Sequence, residues 1–221
     1  MNVTEAVAAR RSVRGFLDAP VDLPILKAIV TKAARAATGG NLQPWHVDLV
    51  TGESLAALKA IMSAKLVAGE IEEPAYAIYP PNLAAPYRDR RFAIGEAMYA
   101  EIGIPREDKA ARRMWFARNF QFFGAPAALF CTVDRQMGPP QWADLGMYLQ
   151  NVMLLAVEAG LATCAQECWA MYPETITGFL GTPGERMLFC GMAIGYEDPA
   201  APANRLRSMR APSEEWLTVR P

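Results

Sequence analysis

Histidine is nearly missing: His46 is the only one in 221 residues. A Ser–His–Asp or Cys–His arrangement therefore has a single candidate base, and no G-x-S-x-G accompanies it. Beside Trp45 at a strand edge, His46 reads more readily as a hydrogen-bonded structural residue. Cysteine is scarce as well. Four in the whole chain are too few for a disulfide scaffold and suit reduced thiols in the cytoplasm. Cys164 and Cys168 lie four apart, but Cys131 and Cys190 fall inside apolar runs, so buried thiols fit better than zinc ligation and no metal site is expected. Neither the P-loop pattern nor G-x-G-x-x-G occurs. No charge of one sign dominates: 22 Lys and Arg face 23 Asp and Glu, which disfavours a nucleic-acid partner. No apolar run approaches the ~20 residues that span a bilayer. The opening Met1–Glu5 lacks the basic-then-apolar pattern of a secretory signal, so neither export nor a membrane is expected.

What is present is apolar surface. At 52% hydrophobic and 20% charged residues the chain can build a packed core. Asn2 and Glu5 have capping-box spacing ahead of a short helix to about Arg10. Asp22 before Leu23-Pro24 starts a second helix, and Thr38-Gly39-Gly40-Asn41 stops it in a loop. Val47–Val50 reads as a strand, with Ser54 capping a third helix. Between 70 and 91 four prolines interleave with Tyr76, Tyr79 and Tyr87, which describes a lid-like surface excursion. Helices are expected over Phe92–Ile102, Arg106–Phe123 and Gln141–Gly160, and buried strands over Ala127–Val133 and Met187–Ile194. The segment 196–221 is an unperiodic arm rich in Pro and Arg. Few strands among long helices favour a single α+β domain, 1–221, with one central sheet over a regular βαβ array.

With so few nucleophiles and bases, any reaction would be carried by a bound cofactor. Arg10, Arg11 and Arg14 surround Ser12, and Arg205, Arg207 and Arg210 punctuate the arm. Two arginine clusters in a neutral chain suit one phosphate-bearing ligand, or equally two solvated ends.

Four blocks in order carry a resemblance: Arg10-Arg11-Ser12-Val13-Arg14-Gly15-Phe16; Gly40-Asn41-Leu42-Gln43-Pro44-Trp45; Asp144, Gly146, Gln150-Asn151 and Gly160-Leu161; and Gly191–Tyr196 with Asn204 and Arg210-Ala211-Pro212. Together they resemble the FMN-dependent nitroreductase family along nearly the whole chain. The resemblance implies a central, mostly antiparallel sheet flanked by helices, in a homodimer whose C-terminal arm wraps the partner. It implies FMN as cofactor and NADPH or NADH as donor, reducing nitroaromatics through nitroso to hydroxylamine by ping-pong hydride transfer. An ene-reductase, a reductive dehalogenase, a flavin-fragmenting enzyme or a non-catalytic flavin-binding dimer would keep the same cofactor residues.

By the same resemblance, Arg10 and Arg210 would hold the FMN phosphate with Ser12 and Ser208, and Arg11 beside them through its backbone. Arg14 would lie against the N1–C2=O edge of the isoalloxazine, where a fixed cation stabilises the charge that reduction places there. Thr38, Gly39 and Asn41 would approach from the other subunit, while Gln43 and Pro44 shape the loop and Trp45 joins the core. Glu167 and Cys168 would offer backbone amides to N5 and O4, and Asn119 a polar contact to the pyrimidine. Tyr79, Tyr87, Phe120 and Phe123 are candidates for a flat substrate slot. Arg88, Arg90 and Arg91 read more readily as a solvated basic patch than as partners of a 2′-phosphate that would favour NADPH.

Overall fold

A computed structural model describes residues 1–220. Among the described residues the elements run α1 (Val3–Ala9), α2 (Leu23–Ala33), β1 (His46–Thr51), α3 (Gly52–Ala68), α4 (Tyr87–Glu101), α5 (Lys109–Ala117), β2 (Ala127–Asp134), α6 (Pro139–Glu158), β3 (Ala162–Gln166), α7 (Pro173–Leu180) and β4 (Arg186–Gly195). Short 3-10 turns occupy Arg118–Gly124 and Glu167–Met171. The strands form one sheet, ordered β1-β2-β4-β3, and every neighbouring pair is antiparallel. The fold is α+β. Among the described residues no helix is long and apolar enough to cross a membrane.

The period-two pleat sorts the core into two layers. In β2, Ala128 and Phe130 face α3, α7 and the aromatic 3-10 turns, packing with Leu58, Trp169 and Ile176. Leu129, Cys131 and Val133 face α2 and α6, packing with Leu26, Leu145 and Val152. Both central strands are covered on both faces, which explains their continuous apolar runs. In β4 the register slips: Cys131 pairs with Cys190 but Thr132 with Leu188, leaving Phe189 as the extra residue of a bulge. The bulge reverses the phase, so Leu188 faces one layer and Cys190 the other. A bulge also frees a backbone carbonyl, and the Tyr76 hydroxyl donates to that of Phe189.

Several boundaries move. The Asn2–Glu5 box forms, with Glu5 N–H donating to Asn2 Oδ1 at 2.9 Å. Ser54 is not a cap: Thr51 holds that position and Ser54 lies inside the first turn of α3. α4 begins at Tyr87, not Phe92. The long helix expected over Arg106–Phe123 stops at Ala117, because Phe122 (φ 51) and Phe123 (φ 53) are left-handed and turn the chain back toward β2. β3 and α7 add elements that the sequence reading did not mark.

The excursion after α3 is tied down over its first part. Ala75 N–H donates to Ala170 O at 2.8 Å, and Glu72 caps α7 by accepting from the Glu174 amide at 2.7 Å and from the Thr175 amide and hydroxyl. Lys65 adds an ion pair at 3.4 Å. Burial by itself would raise the Glu72 carboxyl, but the hydrogen bonds from Thr175, Glu174 and Lys65 outweigh it and hold it below its ordinary value. An unfolded Glu titrates near about 4.3. The stabilisation is therefore complete above that pH and is lost as pH falls through the lower folded value. Glu72→Gln is expected to cost about 1–2 kcal/mol at neutral pH. In urea titrations at a series of pH values, the gap from the parent should close as pH falls below the ordinary carboxylate range. A gap that is constant with pH would count against the charged cap.

Candidate functional site

β3 is an edge strand, and the chain after α1 covers its open side. Ser12 bridges Thr163 in parallel, and Val13 N–H donates to Thr163 O at 2.9 Å. Asn204, 5% exposed, then locks the next two residues. Its Oδ1 accepts from the Arg14 amide at 2.7 Å, and its Nδ2 donates to Gly15 O at 2.8 Å and Asp198 O at 2.9 Å. Gly15 must be small here, since a Cβ would stand 2.3 Å from that of Ala201. The Arg14 backbone is thus fixed while its side chain reaches a cleft.

That cleft has a volume of about 700 Å³ and apolar walls from α4, α5 and α6. Its polar groups are few: Arg14, Arg91, Asn119, Gln166 and Glu167. The Arg14 guanidinium donates to Ser12 O at 3.3 Å and has no carboxylate partner among the described residues. Glu167 and Cys168 open a 3-10 turn, whose first amides have no partner within the turn. Gln166 braces this region, donating to Asn119 O at 2.7 Å and accepting from Trp169 Nε1 at 3.4 Å. Beneath it Trp169 is fully buried, stacked on Phe122 with centroids 4.6 Å apart and edge-on to Phe120 and Phe130.

Desolvation pushes the Glu167 carboxyl upward, although the residue opens to the cleft. Burial also pushes the Cys164 and Cys168 thiols up, which keeps them protonated and poor nucleophiles. All four cysteines are free thiols, and among the described residues no His, Cys, Asp and Glu group suits a metal. His46 lies at the start of β1, outside the cleft, and burial followed by the Arg186 charge lowers its pKa. It carries no role at this site.

Arg14, Tyr79, Asn119, Phe123, Glu167 and Cys168 line the cleft. Other expected residues stand elsewhere. Phe120 is 1% exposed, set edge-on between Trp169 and Tyr172, so it supports the floor instead of facing a ligand. Tyr87, 63% exposed, starts α4 outside the cleft. The Arg11 guanidinium pairs with Glu197, which ties it to the chain beyond β4. Thr38 Oγ1 and the Gly39 amide both donate to buried Asp144, at 2.9 and 3.1 Å, so their polar groups serve their own chain. Asn41 is left exposed at the tip of that loop with φ 58. Pro44 is buried, and Trp45 stacks on Tyr148 at 5.0 Å. Arg10 caps the end of α1 half-buried, and Ser12 lies in the bridge to β3. In the exposed arm, Arg210 turns back on Ser208 Oγ at 2.8 Å. Pro221 of the arm lies outside the described residues.

Arg91, grouped from the sequence with Arg88 and Arg90 as a candidate for a 2′-phosphate, lies on the cleft face of α4 with Gly95, Met98 and Tyr99, which had no expected role. Their helical spacing was the available signal. The residues present fit FMN: an apolar slot of suitable size, a guanidinium with no carboxylate partner among the described residues, and the amides that open a 3-10 turn. Arg14, Glu167 and Cys168 would hold its ring system.

The Nitroreductase family model matches residues 7–196. A 4-nitrobenzoate reductase of Pseudomonas putida is 36% identical over 204 residues, 92% of this chain and 89% of that one. A nitrobenzene nitroreductase of Ectopseudomonas oleovorans is 34% identical over 220 residues, 98% of this chain and 96% of the other. Among solved structures, the FMN and NADPH-dependent nitroreductase NfnB of Sphigopyxis sp. strain HMH superposes with a TM-score of 0.96 at 49% identity, each chain covered in full. The NfnB of Mycobacterium smegmatis in complex with NADPH gives 0.93 at 25% identity, again over both whole chains. From the opening arginines to the end of its last strand, this chain belongs to the nitroreductase family.

Proposed function

We propose that the protein is an FMN-dependent NAD(P)H oxidoreductase that reduces nitroaromatic compounds. The observation that carries this reading is one apolar cleft lined by Arg14, which has no carboxylate partner among the described residues, and by Glu167 and Cys168 at the start of a 3-10 turn. The names of the relatives support it. When bound, FMN supplies the two-electron hydride chemistry that no side chain of this chain provides. Arg14 sets a fixed positive charge at one edge of the slot, and Glu167 and Cys168 orient the ring system through their amides. Arg10 and Arg210 bind the phosphate, helped by Ser12 and Ser208. Asn41 reaches the slot of a partner subunit. Tyr79 and Phe123 give the acceptor a flat, water-excluding surface.

A homodimer suits the apolar surface that one chain leaves open. Phe92, Met114, Met209, Trp216 and Leu217 are 52, 68, 89, 69 and 53% exposed. On this reading the whole chain is one FMN-binding unit, with 70–91 as a lid narrowed to its second part and 196–221 as an arm over the partner. Four free thiols suit a reducing cytoplasm.

The test is steady-state turnover of the FMN-loaded protein with NADPH and a nitroarene, with the product identified. Hydroxylamine formed through nitroso, with ping-pong kinetics, is the expected result. Saturation of activated alkenes with the nitro group left intact would move the protein to the ene-reductases. Flavin bound without turnover of any acceptor would make it a binding dimer.

A further inference from the structure

Three arginines open α4, and the structure sorts them. Arg88 is engaged by Asp89 at 2.8 Å, and Arg90 by Glu215 of the arm. Arg91 alone of the three lines the cleft, and no carboxylate pairs with it among the described residues. Its guanidinium carbon lies 3.9 Å from the centroid of the Tyr79 ring. Tyr79 covers one face of the cation and holds it in place. The N–H fork stays free, and a fork held this way matches the two oxygens of a carboxylate. Around it the walls are apolar: Ile94, Met98, Trp115 and Phe116. Arg14, the other cation of the cleft, is assigned to the flavin edge. An unpaired cation on an apolar wall selects a ligand with an aromatic body and one anionic substituent.

We propose that Arg91, seated on Tyr79, determines acceptor specificity by binding the carboxylate of a nitroaromatic acid. The inference rests on the nitroreductase reading and deepens it. The same fork would also suit the 2′-phosphate of NADPH, so the experiment separates the two sources of negative charge.

In the FMN-loaded protein, Arg91→Gln and Arg91→Lys are compared with the parent on 4-nitrobenzoate, nitrobenzene, NADPH and NADH. Calorimetry on benzoate, which has no nitro group, gives a readout free of turnover. For Arg91→Gln the ratio of kcat/KM for 4-nitrobenzoate over nitrobenzene should fall about tenfold or more, mainly through KM. Benzoate affinity should fall by a similar factor, Arg91→Lys should recover part of both, and the NADPH over NADH preference should hold. Equal losses on both nitroarenes, or no change in benzoate binding, would overturn the proposal. A selective loss of NADPH preference would overturn it too, assigning Arg91 to the dinucleotide. If no nitroarene turns over yet benzoate binding still depends on Arg91, the anion site stands and the nitroreductase reading falls.

Discussion

Arg14→Ala is expected to leave the protein folded and able to take up FMN, while kcat for nitroarene reduction drops about a hundredfold. The separation follows from how the residue is held. Asn204 and Thr163 fix the backbone around Arg14, whereas the side chain makes only a long 3.3 Å bond to Ser12 O. Removing the guanidinium therefore costs the scaffold little. It removes one of only two cations lining an apolar cleft, where screening is weak and a single charge counts for more than in water. The midpoint potential of bound FMN should fall in parallel, and Arg14→Lys should recover part of both effects. An unchanged potential with full activity would remove Arg14 from the flavin edge.

Trp169→Ala should be the most damaging single truncation in the core, at about 3–5 kcal/mol. Trp169 is 0% exposed and in ring contact with Phe120, Phe122 and Phe130. It also holds Phe122 in a left-handed conformation that an aromatic residue seldom adopts. Such strain persists only while packing over-determines it, so the cavity term dominates the loss and relaxation of the strain offsets part of it. The fit is tight from below as well: a Cβ on Gly191 would stand 2.3 Å from Trp169 Cδ1. Against a total of about 5–15 kcal/mol this is a large fraction, readable in urea unfolding. Because Gln166 braces both Trp169 and Asn119, FMN affinity should weaken too. A cost under about 1 kcal/mol would show that the aromatic stack is not what holds the turn.

The central layers were legible because their signals are strong. The continuous apolar run of Ala127–Val133 suits a strand covered on both faces, and the stripe of Leu145, Leu149 and Val152 follows the helical period of α6. The α5 boundary was not, because Arg118–Phe123 carries no Gly or Pro to mark the break. Phe122 turns the chain because distant Trp169 and Phe130 secure its ring, while Phe123 packs on Trp115. β3 was hidden by its brevity, being five residues long with its pairing supplied by β4 and the chain at Ser12. At the site, motif order picked out Arg14, Glu167 and Cys168, and all three line the cleft. Local sequence could not reveal that Thr38 and Gly39 are held by Asp144, or that Phe120 is a floor residue. Those facts depend on partners far along the chain.

A crystal structure of the protein grown with FMN tests the placement of the cofactor most directly. The account predicts one flavin per chain in the cleft, its N1–C2=O edge within hydrogen-bonding reach of the Arg14 guanidinium. The amides of Glu167 and Cys168 should face N5 and O4. A flavin seated elsewhere, such as the groove beneath Lys109 and Arg113, or crystals that stay colourless in excess FMN, would contradict it.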